Sequence, residues 1–327
     1  MSRPAQLRRI LFVQRPDLVD AQRATVEEIL QRAVPGAVIE HAGEPGAVPE
    51  GARFDAIIAP TLPWLPEVMA RVRDVRWVHF LSAGVDRIWQ WPAELWDGVL
   101  LTKSAGVHVD AMSEYALGAM LYFVKRLGAF HDQQRQHTWR RFWLDGLAGK
   151  TLVILGLGAI GQAIARRARS FDMRLLGASR GGRPVPEVER VVTTDAVGEL
   201  LPEADFLVVC VPLTPATRGM VDAGFLSRLK SGAVLVDVSR GGVVRERDLV
   251  DALASGRLGG AALDVFEEEP LAPDSPLWDV PNLLVTPHVA GTCPGYLERA
   301  LGVFLRNWES LSQGGPPVTE VDRTSRY

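Results

Sequence analysis

The sequence predicts an α/β fold of two domains, each a mainly parallel sheet flanked by helices, with a cleft between them. Three observations carry that expectation. Short apolar runs bounded by Gly and Pro alternate with segments of helical periodicity along the whole chain, the pattern of parallel strands covered by helices. The chain has 327 residues, more than one hydrophobic core ordinarily supports. A fresh strand and helix series opens at Thr151 on a glycine-rich turn, after a long helix with an apolar face.

Taken in order, the first hundred residues give strands at ILFVQ (10–14), AVIEH (37–41), FDAIIA (54–59) and WVHFL (77–81). Their clearest helix is VDAQRATVEEILQRA (19–33), and AGEPGAVPEG (42–51) is punctuation. One long helix is expected over 110–130, crossing into the second domain, followed by the polar and aromatic stretch 131–150. From Thr151 the strands are TLVIL, RLLGAS (174–179), FLVVCV (206–211), AVLVDVS (233–239), GGAALDV (259–265) and LLVTPH (283–288). The segment 294–315 reads as a helix returning to the first domain, and 316–327 as an extended surface tail. The expected division is therefore 1–101 with about 291–327 as one domain, flavodoxin-like, and 102–290 as a Rossmann-type nucleotide domain.

Composition narrows the function. Thirty-six basic and 39 acidic residues are interspersed and leave a formal charge of −3, which offers no electrostatic footprint for nucleic acid or an anionic membrane. The opening apolar run stops after ILFV, too short for a secretory core, and no later stretch stays apolar for the roughly 18 residues of a membrane span. Cys210 and Cys293 lie far apart without CxxC spacing, which argues against a disulfide framework or zinc site and for a reducing cytoplasm. No His, Cys or carboxylate cluster has metal-ligand spacing.

The turn GLGAIG sets Gly156, Gly158 and Gly161 in G-x-G-x-x-G spacing, between an apolar strand and a helix that begins near Ala159 and Ile160. The first glycine permits the tight turn, the second lets a pyrophosphate approach the backbone, and the third lets helix and strand pack closely. Free N–H groups at the helix start then face the phosphates. The next strand should end in an acid that binds the adenosine ribose; here it ends in Ser179, with Arg180 following and Arg183 nearby. A carboxylate there would repel a 2′-phosphate, whereas a hydroxyl and a guanidinium suit one, so the expected cofactor is NADP, with NAD possible.

Further polar residues follow predicted strands in VSRGGVV with Arg240, LDVFEEEPL with Asp264 and Glu269, and LLVTPH with His288. With SAGVD (82–86), GLGAIG and VPLTPATRGMV (211–221), in this order, they make the chain resemble the D-isomer-specific 2-hydroxyacid dehydrogenase family over nearly its whole length, and most of all its glyoxylate/hydroxypyruvate reductase branch. The resemblance implies an NADPH-preferring reductase of small 2-oxo acids to D-2-hydroxy acids. Arg240 would bind the substrate carboxylate and polarise its carbonyl. His288 would be the general acid, and Glu269, the acid directly before Pro270, would orient the imidazole and complement the imidazolium. Backbone N–H groups around Ala83, Gly84 and Val85 would hold the carboxylate, Val211, Pro212 and Leu213 would line the cofactor cleft, and Asp264 would contact the nicotinamide carboxamide. The resemblance also implies a homodimer and a small-molecule partner, while the charge balance and hydropathy argue against nucleic acid or a membrane as partner.

His41, His79, His131 and His137 lack comparable support and read as structural or exposed; His108 enters the crossing helix in a segment that matches the family. Trp64, Trp139, Phe142 and Trp143 read individually as core, or jointly as shaping a substrate or subunit surface. Asp237 stands where Asn is common in relatives, and Asp172 where Gly is. Three other functions share these residues: an NAD-dependent D-2-hydroxyacid dehydrogenase, a 3-phosphoglycerate dehydrogenase, and a dinucleotide-sensing, corepressor-like interaction protein. A formate dehydrogenase is disfavoured because it pairs its histidine with Gln, not Glu.

Overall fold

The computed structural model describes residues 6–324. The chain divides into two compact units, one built from the chain up to Val107 together with Cys293 onward, the other spanning His108–Thr292. In the first unit come β1 (Arg9–Val13), α1 (Pro16–Ala33), β2 (Val38–Ala42), β3 (Ala52–Arg53), β4 (Ala56–Ala59), α2 (Leu65–Arg71), β5 (Val72–Arg73), β6 (Trp77–Phe80) and β7 (Leu100–Lys103). Five of these strands form a parallel sheet in the order β2-β1-β4-β6-β7, which is the 2-1-3-4-5 order of a flavodoxin-like sheet. Residues 102–107 belong here and not to the second domain, because Thr102 and Lys103 pair with His79 and Phe80 across β6 and β7.

His79 is completely buried on this sheet. Its ring nitrogens meet Thr102 Oγ1 at 2.7 Å and Ser104 Oγ at 3.0 Å. Ser104 Oγ–H donates to Phe80 O, so His79 Nε2–H must donate to Ser104 and Nδ1 must accept from Thr102. The ring is thus neutral and satisfied, and burial holds its pKa down at about 3. A histidine of this kind is structural.

The second unit contains α3 (Val109–Val124), α4 (Leu127–Arg135), β8 (Thr151–Leu155), α5 (Ala159–Arg169), β9 (Arg174–Ser179), β10 (Arg190–Thr193), β11 (Phe206–Val209), α6 (Ala223–Leu226), β12 (Ala233–Asp237), α7 (Glu246–Ala254), β13 (Leu258–Leu263) and β14 (Leu283–Val285). Its seven strands are all parallel, in the order β10-β9-β8-β11-β12-β13-β14. The order reverses between β8 and β11, and a doubly wound sheet binds ligands outside the carboxyl ends of its strands at such a switch point. β8 and β12 are buried at every residue, which explains their unbroken apolar runs.

The single helix expected over 110–130 is instead two. Arg126 takes a left-handed backbone (φ 51°) and ends α3. Its guanidinium lies 4.4 Å from the Phe142 ring, which stacks on Phe130 at 4.7 Å, so the return segment folds back on α4. Trp139 and Trp143 are not core residues: they are 92 % and 98 % exposed. Trp64 is half-buried against the core of the first unit.

After Thr292 the chain re-enters the first unit through α8 (Tyr296–Ser312), whose Ala300, Leu301, Val303 and Phe304 are buried, with Phe304 stacked on Trp77 at 4.4 Å. The tail, described as far as Thr324, runs along the surface as expected but is pinned to the first unit. Lys103 N donates to Thr319 O, Val321 N donates to Leu101 O, and Val321 is buried beside β7. Arg323 then donates to the carbonyls of Trp96 and Val99. Among the described residues no helix is long and apolar enough to cross a membrane.

Candidate active site

The carboxyl edge of the seven-stranded sheet carries a candidate residue after six of its strands. The glycine turn follows β8, Ser179 closes β9, Val211–Leu213 follow β11, Arg240 follows β12, Asp264 follows β13 and His288 follows β14.

Each glycine of the turn has a distinct steric reason. Gly156 is at φ 112°, and a Cβ there would stand 2.9 Å from the Cys210 carbonyl carbon and oxygen. A Cβ on Gly161 would overlap the Gly156 carbonyl oxygen, so α5 packs onto the turn only as glycine. Gly158 meets nothing: a Cβ there has open space around it. It caps α5 without a side-chain hydrogen bond, leaving the first-turn N–H groups near Ala159 and Ile160 without intrahelical partners. Open space over the glycine at a helix N-terminus fits a pyrophosphate, and the residues present therefore suit a dinucleotide.

The second strand ends as the sequence reads, in Ser179 and the exposed Arg180, and Gly182 turns the chain at φ 60°. At the opposite, amino end of β9 and β10, Arg174 pairs with Glu189 and Glu203, and Arg190 with Glu199. Arg180 and Arg183 have no such partner among the described residues, so their guanidinium groups are not engaged by the protein itself. Val211 is buried, and Pro212 is held from behind by Thr217, whose Oγ1–H donates to its carbonyl at 2.6 Å. Cys210 donates its thiol to Gly156 O at 2.9 Å, and burial pushes its pKa up to about 12, so it braces the turn as a neutral group.

His288 and Glu269 meet directly: Nδ1 lies 2.9 Å from Glu269 Oε2 and 3.1 Å from Oε1. The carboxylate accepts, so Nδ1 carries the hydrogen and the exchangeable role falls to Nε2. The His288 side chain is 45 % exposed, which leaves its ring open to a ligand. Of the three consecutive acids only Glu269 makes this contact. Glu267 exchanges hydrogen bonds with Glu246 at the start of α7, which the sequence alone could not separate from a site role. Arg240 is half-buried and donates from Nη1 to the Ser239 carbonyl at 2.7 Å. A Cβ on Gly241 would overlap the Phe266 carbonyl oxygen, so the Arg240 loop lies against the segment that carries Glu269.

Asp264 is buried, and its carboxylate is wrapped by protein donors: Thr286 Oγ1–H and Val289 N–H reach Oδ1 at 2.6 and 2.9 Å, and Ala290 N–H reaches Oδ2 at 2.9 Å. Asp237 is also buried and accepts from Ser239 N–H and Oγ–H; burial raises its pKa to about 7. Sequence reasoning missed Thr286 and, on α3, Tyr115, whose hydroxyl lies 2.7 Å from Thr286 Oγ1. His108 donates from Nδ1 to Gly291 O at 2.9 Å, within the loop that follows His288.

In the first unit Ala83 and Gly84 are half-buried in the loop after β6, while Val85 is fully buried and turns its side chain into the core. Among the described residues no backbone hydrogen bond uses the N–H of Ala83, Gly84 or Val85. What this loop can offer a ligand is therefore its backbone.

The NAD-binding domain of D-isomer specific 2-hydroxyacid dehydrogenases matches residues 117–290 as a sequence family. A glyoxylate reductase of Thermococcus kodakarensis is 36 % identical over 235 residues, covering 69 % of this chain and 70 % of its own. Among solved structures, a D-isomer specific 2-hydroxyacid dehydrogenase family protein of Aeromonas salmonicida superposes with a TM-score of 0.85 at 33 % identity, covering 96 % of this chain and 99 % of that one. An NADPH-dependent glyoxylate/hydroxypyruvate reductase of Sinorhizobium meliloti, solved with NADP and sulfate, gives a TM-score of 0.84 at 29 % identity, covering 98 % and 99 %.

Proposed function

The chain belongs to the D-isomer specific 2-hydroxyacid dehydrogenase family of oxidoreductases, and from that premise we propose that it is an NADPH-preferring reductase of small 2-oxo acids, glyoxylate or hydroxypyruvate in the first place. The observation that carries this reading is the Glu269–His288 pair, with Nδ1 at 2.9 Å from the carboxylate, on the same sheet edge as the glycine turn. When bound, the reduced nicotinamide supplies the hydride that reduces the carbonyl carbon. The first turn of α5 and the bare backbone of Gly158 would hold its pyrophosphate, and Ser179, Arg180 and Arg183 a 2′-phosphate. The guanidinium groups of Arg180 and Arg183, which have no ion-pair partner among the described residues, support that choice over NADH.

His288 holds a proton on Nε2 and gives it to the carbonyl oxygen as that oxygen becomes a hydroxyl, while Glu269 keeps the ring in register and balances its charge. Arg240 offers a planar fork to the substrate carboxylate and draws electron density from the neighbouring carbonyl. In the first unit the unused N–H groups of Ala83, Gly84 and Val85 are further donors suited to a carboxylate. A homodimer is the assembly we propose, supported by the exposed Trp139 and Trp143 on one segment. A cytoplasmic location fits the free thiols of Cys210 and Cys293.

The test follows NADPH and NADH oxidation separately against a panel of 2-oxo acids, with His288→Ala as control. Turnover with NADPH and a small 2-oxo acid, reduced roughly 100- to 10,000-fold by His288→Ala, is expected. No turnover with any acid and either cofactor would leave the interaction-protein reading; equal or better use of NADH would overturn the NADP preference.

A further inference from the structure

We propose that Tyr115 is a positioning residue for His288, acting through Thr286 and Asp264 on the backbone of Val289 and Ala290. The proposal rests on the reading of His288 as proton donor. His288 has a left-handed backbone (φ 52°), a conformation that L residues other than glycine rarely take unless their surroundings impose it. Its own N–H donates to Thr286 O at 3.0 Å, which tightens the turn. The next two N–H groups, of Val289 and Ala290, both donate to the Asp264 carboxylate at 2.9 Å. Asp264 is therefore the anchor that imposes the turn.

The orientation of that anchor is set one step further away. Thr286 has a single hydroxyl proton, and it goes to Asp264 Oδ1 at 2.6 Å. The 2.7 Å contact between Thr286 Oγ1 and Tyr115 Oη must then be donated by the tyrosine. The direction is thus fixed by counting protons: Tyr115 to Thr286, Thr286 to Asp264, with the two backbone N–H groups converging on the same carboxylate. Burial near Asp264 and Asp237 raises the Tyr115 hydroxyl to about 12, so it remains a donor across the working pH range. Glu269 fixes the imidazole from the side-chain end, and this relay fixes it from the main-chain end. Tyr115 sits on α3, far from the site in sequence, and touches neither Glu269 nor His288 in any of the hydrogen bonds described.

Tyr115→Phe removes the first donor while keeping the ring. Two readouts are needed. In the enzyme assay, Tyr115→Phe and Thr286→Val are expected to lower kcat roughly tenfold, with the KM for NADPH unchanged, and to move the alkaline limb of kcat/KM for reduction to lower pH. Thr286→Ser, which keeps the hydroxyl, is expected to restore both. In the protein without cofactor or substrate, the His288 ring signal followed by NMR over the same pH range should shift in Tyr115→Phe and return in Thr286→Ser, at unchanged thermal midpoint. An unshifted ring titration in Tyr115→Phe would overturn the relay whether or not the parent turns over any 2-oxo acid. A parent without turnover but with the shifted titration would overturn the proposed function and leave the relay standing.

Discussion

At the scale of single residues, the proposed preference for NADPH rests on the end of the second strand of the nucleotide sheet. An acid at the end of β9 would accept from a ribose diol; Ser179 and Arg180 instead offer a donor and a permanent cation. Arginines at the far, amino end of β9 and β10 show what an engaged guanidinium looks like here, since Arg174 reaches Glu189 at 2.8 Å and Arg190 reaches Glu199 at 2.6 Å. Arg180 has no comparable protein partner among the described residues. A hydrogen bond to a charged group contributes about 1.5–3 kcal/mol, so Arg180→Ala should weaken NADPH binding by roughly 10- to 100-fold and leave NADH binding nearly unchanged. Fluorescence titration with each reduced cofactor measures this. Equal weakening of both would mean that Arg180 does not read the phosphate.

At the scale of elements, the strand-turn-helix of β8 and α5 separates two uses of glycine. Gly161 is glycine because the fold needs it: a Cβ would overlap the Gly156 carbonyl, so Gly161→Ala should destabilise the second unit by about 3 kcal/mol or more. Gly158 has open space, and its φ of −75° suits alanine, so Gly158→Ala should change stability by no more than about 1 kcal/mol. Cofactor affinity should nevertheless fall in both, which thermal melts and cofactor titration on the two variants would separate; a strongly destabilised Gly158→Ala would refute the distinction. The glycine spacing was legible in sequence because the three glycines serve one local strand-turn-helix unit, even though Gly156 also packs against the distant Cys210 carbonyl. So were the buried strands, whose apolar runs reflect burial on both faces. The break between α3 and α4 was not, because Arg126 carries no turn signal for its left-handed backbone and its guanidinium packs on Phe142 of a different segment. The tail's place beside β7 was hidden for the same reason: Val321 is one apolar residue in a polar stretch. In the site, Glu269 was singled out by its place before Pro270, whereas Thr286 and Tyr115 carry no spacing signal, since only the fold brings α3 to the end of β14.

At the scale of the whole molecule, each unit buries a group whose titration crosses the mildly acidic range, His79 in the first and Asp237 in the second, and the two respond to acid with opposite sign. In the first unit, burial lowers His79 from 6.5 to about 3. Between those values the unfolded chain binds a proton that the folded unit refuses, so stability is lost as pH falls. In the second unit, burial, only partly offset by the bonds from Ser239, raises Asp237 from 3.8 to about 7. There the folded unit binds the proton that the unfolded chain releases, so the contribution of Asp237 to stability is fully present below pH 3.8 and is lost as pH rises through about 7. In the shared window the two effects run at about 1.4 kcal/mol per pH unit each and nearly cancel for the chain as a whole. A global unfolding measurement should therefore change little from these two groups, while the units diverge. Native-state hydrogen exchange resolved by peptide, and corrected for the intrinsic pH dependence of exchange, should show protection falling on β6 and β7 and rising on β11 and β12 as pH drops. Asp237→Asn keeps the shape and removes the titration, so it should flatten the response of the second unit alone. Protection that fell in both units together, or an Asp237→Asn protein whose second unit still gained protection in acid, would refute the assignment of these slopes to His79 and Asp237.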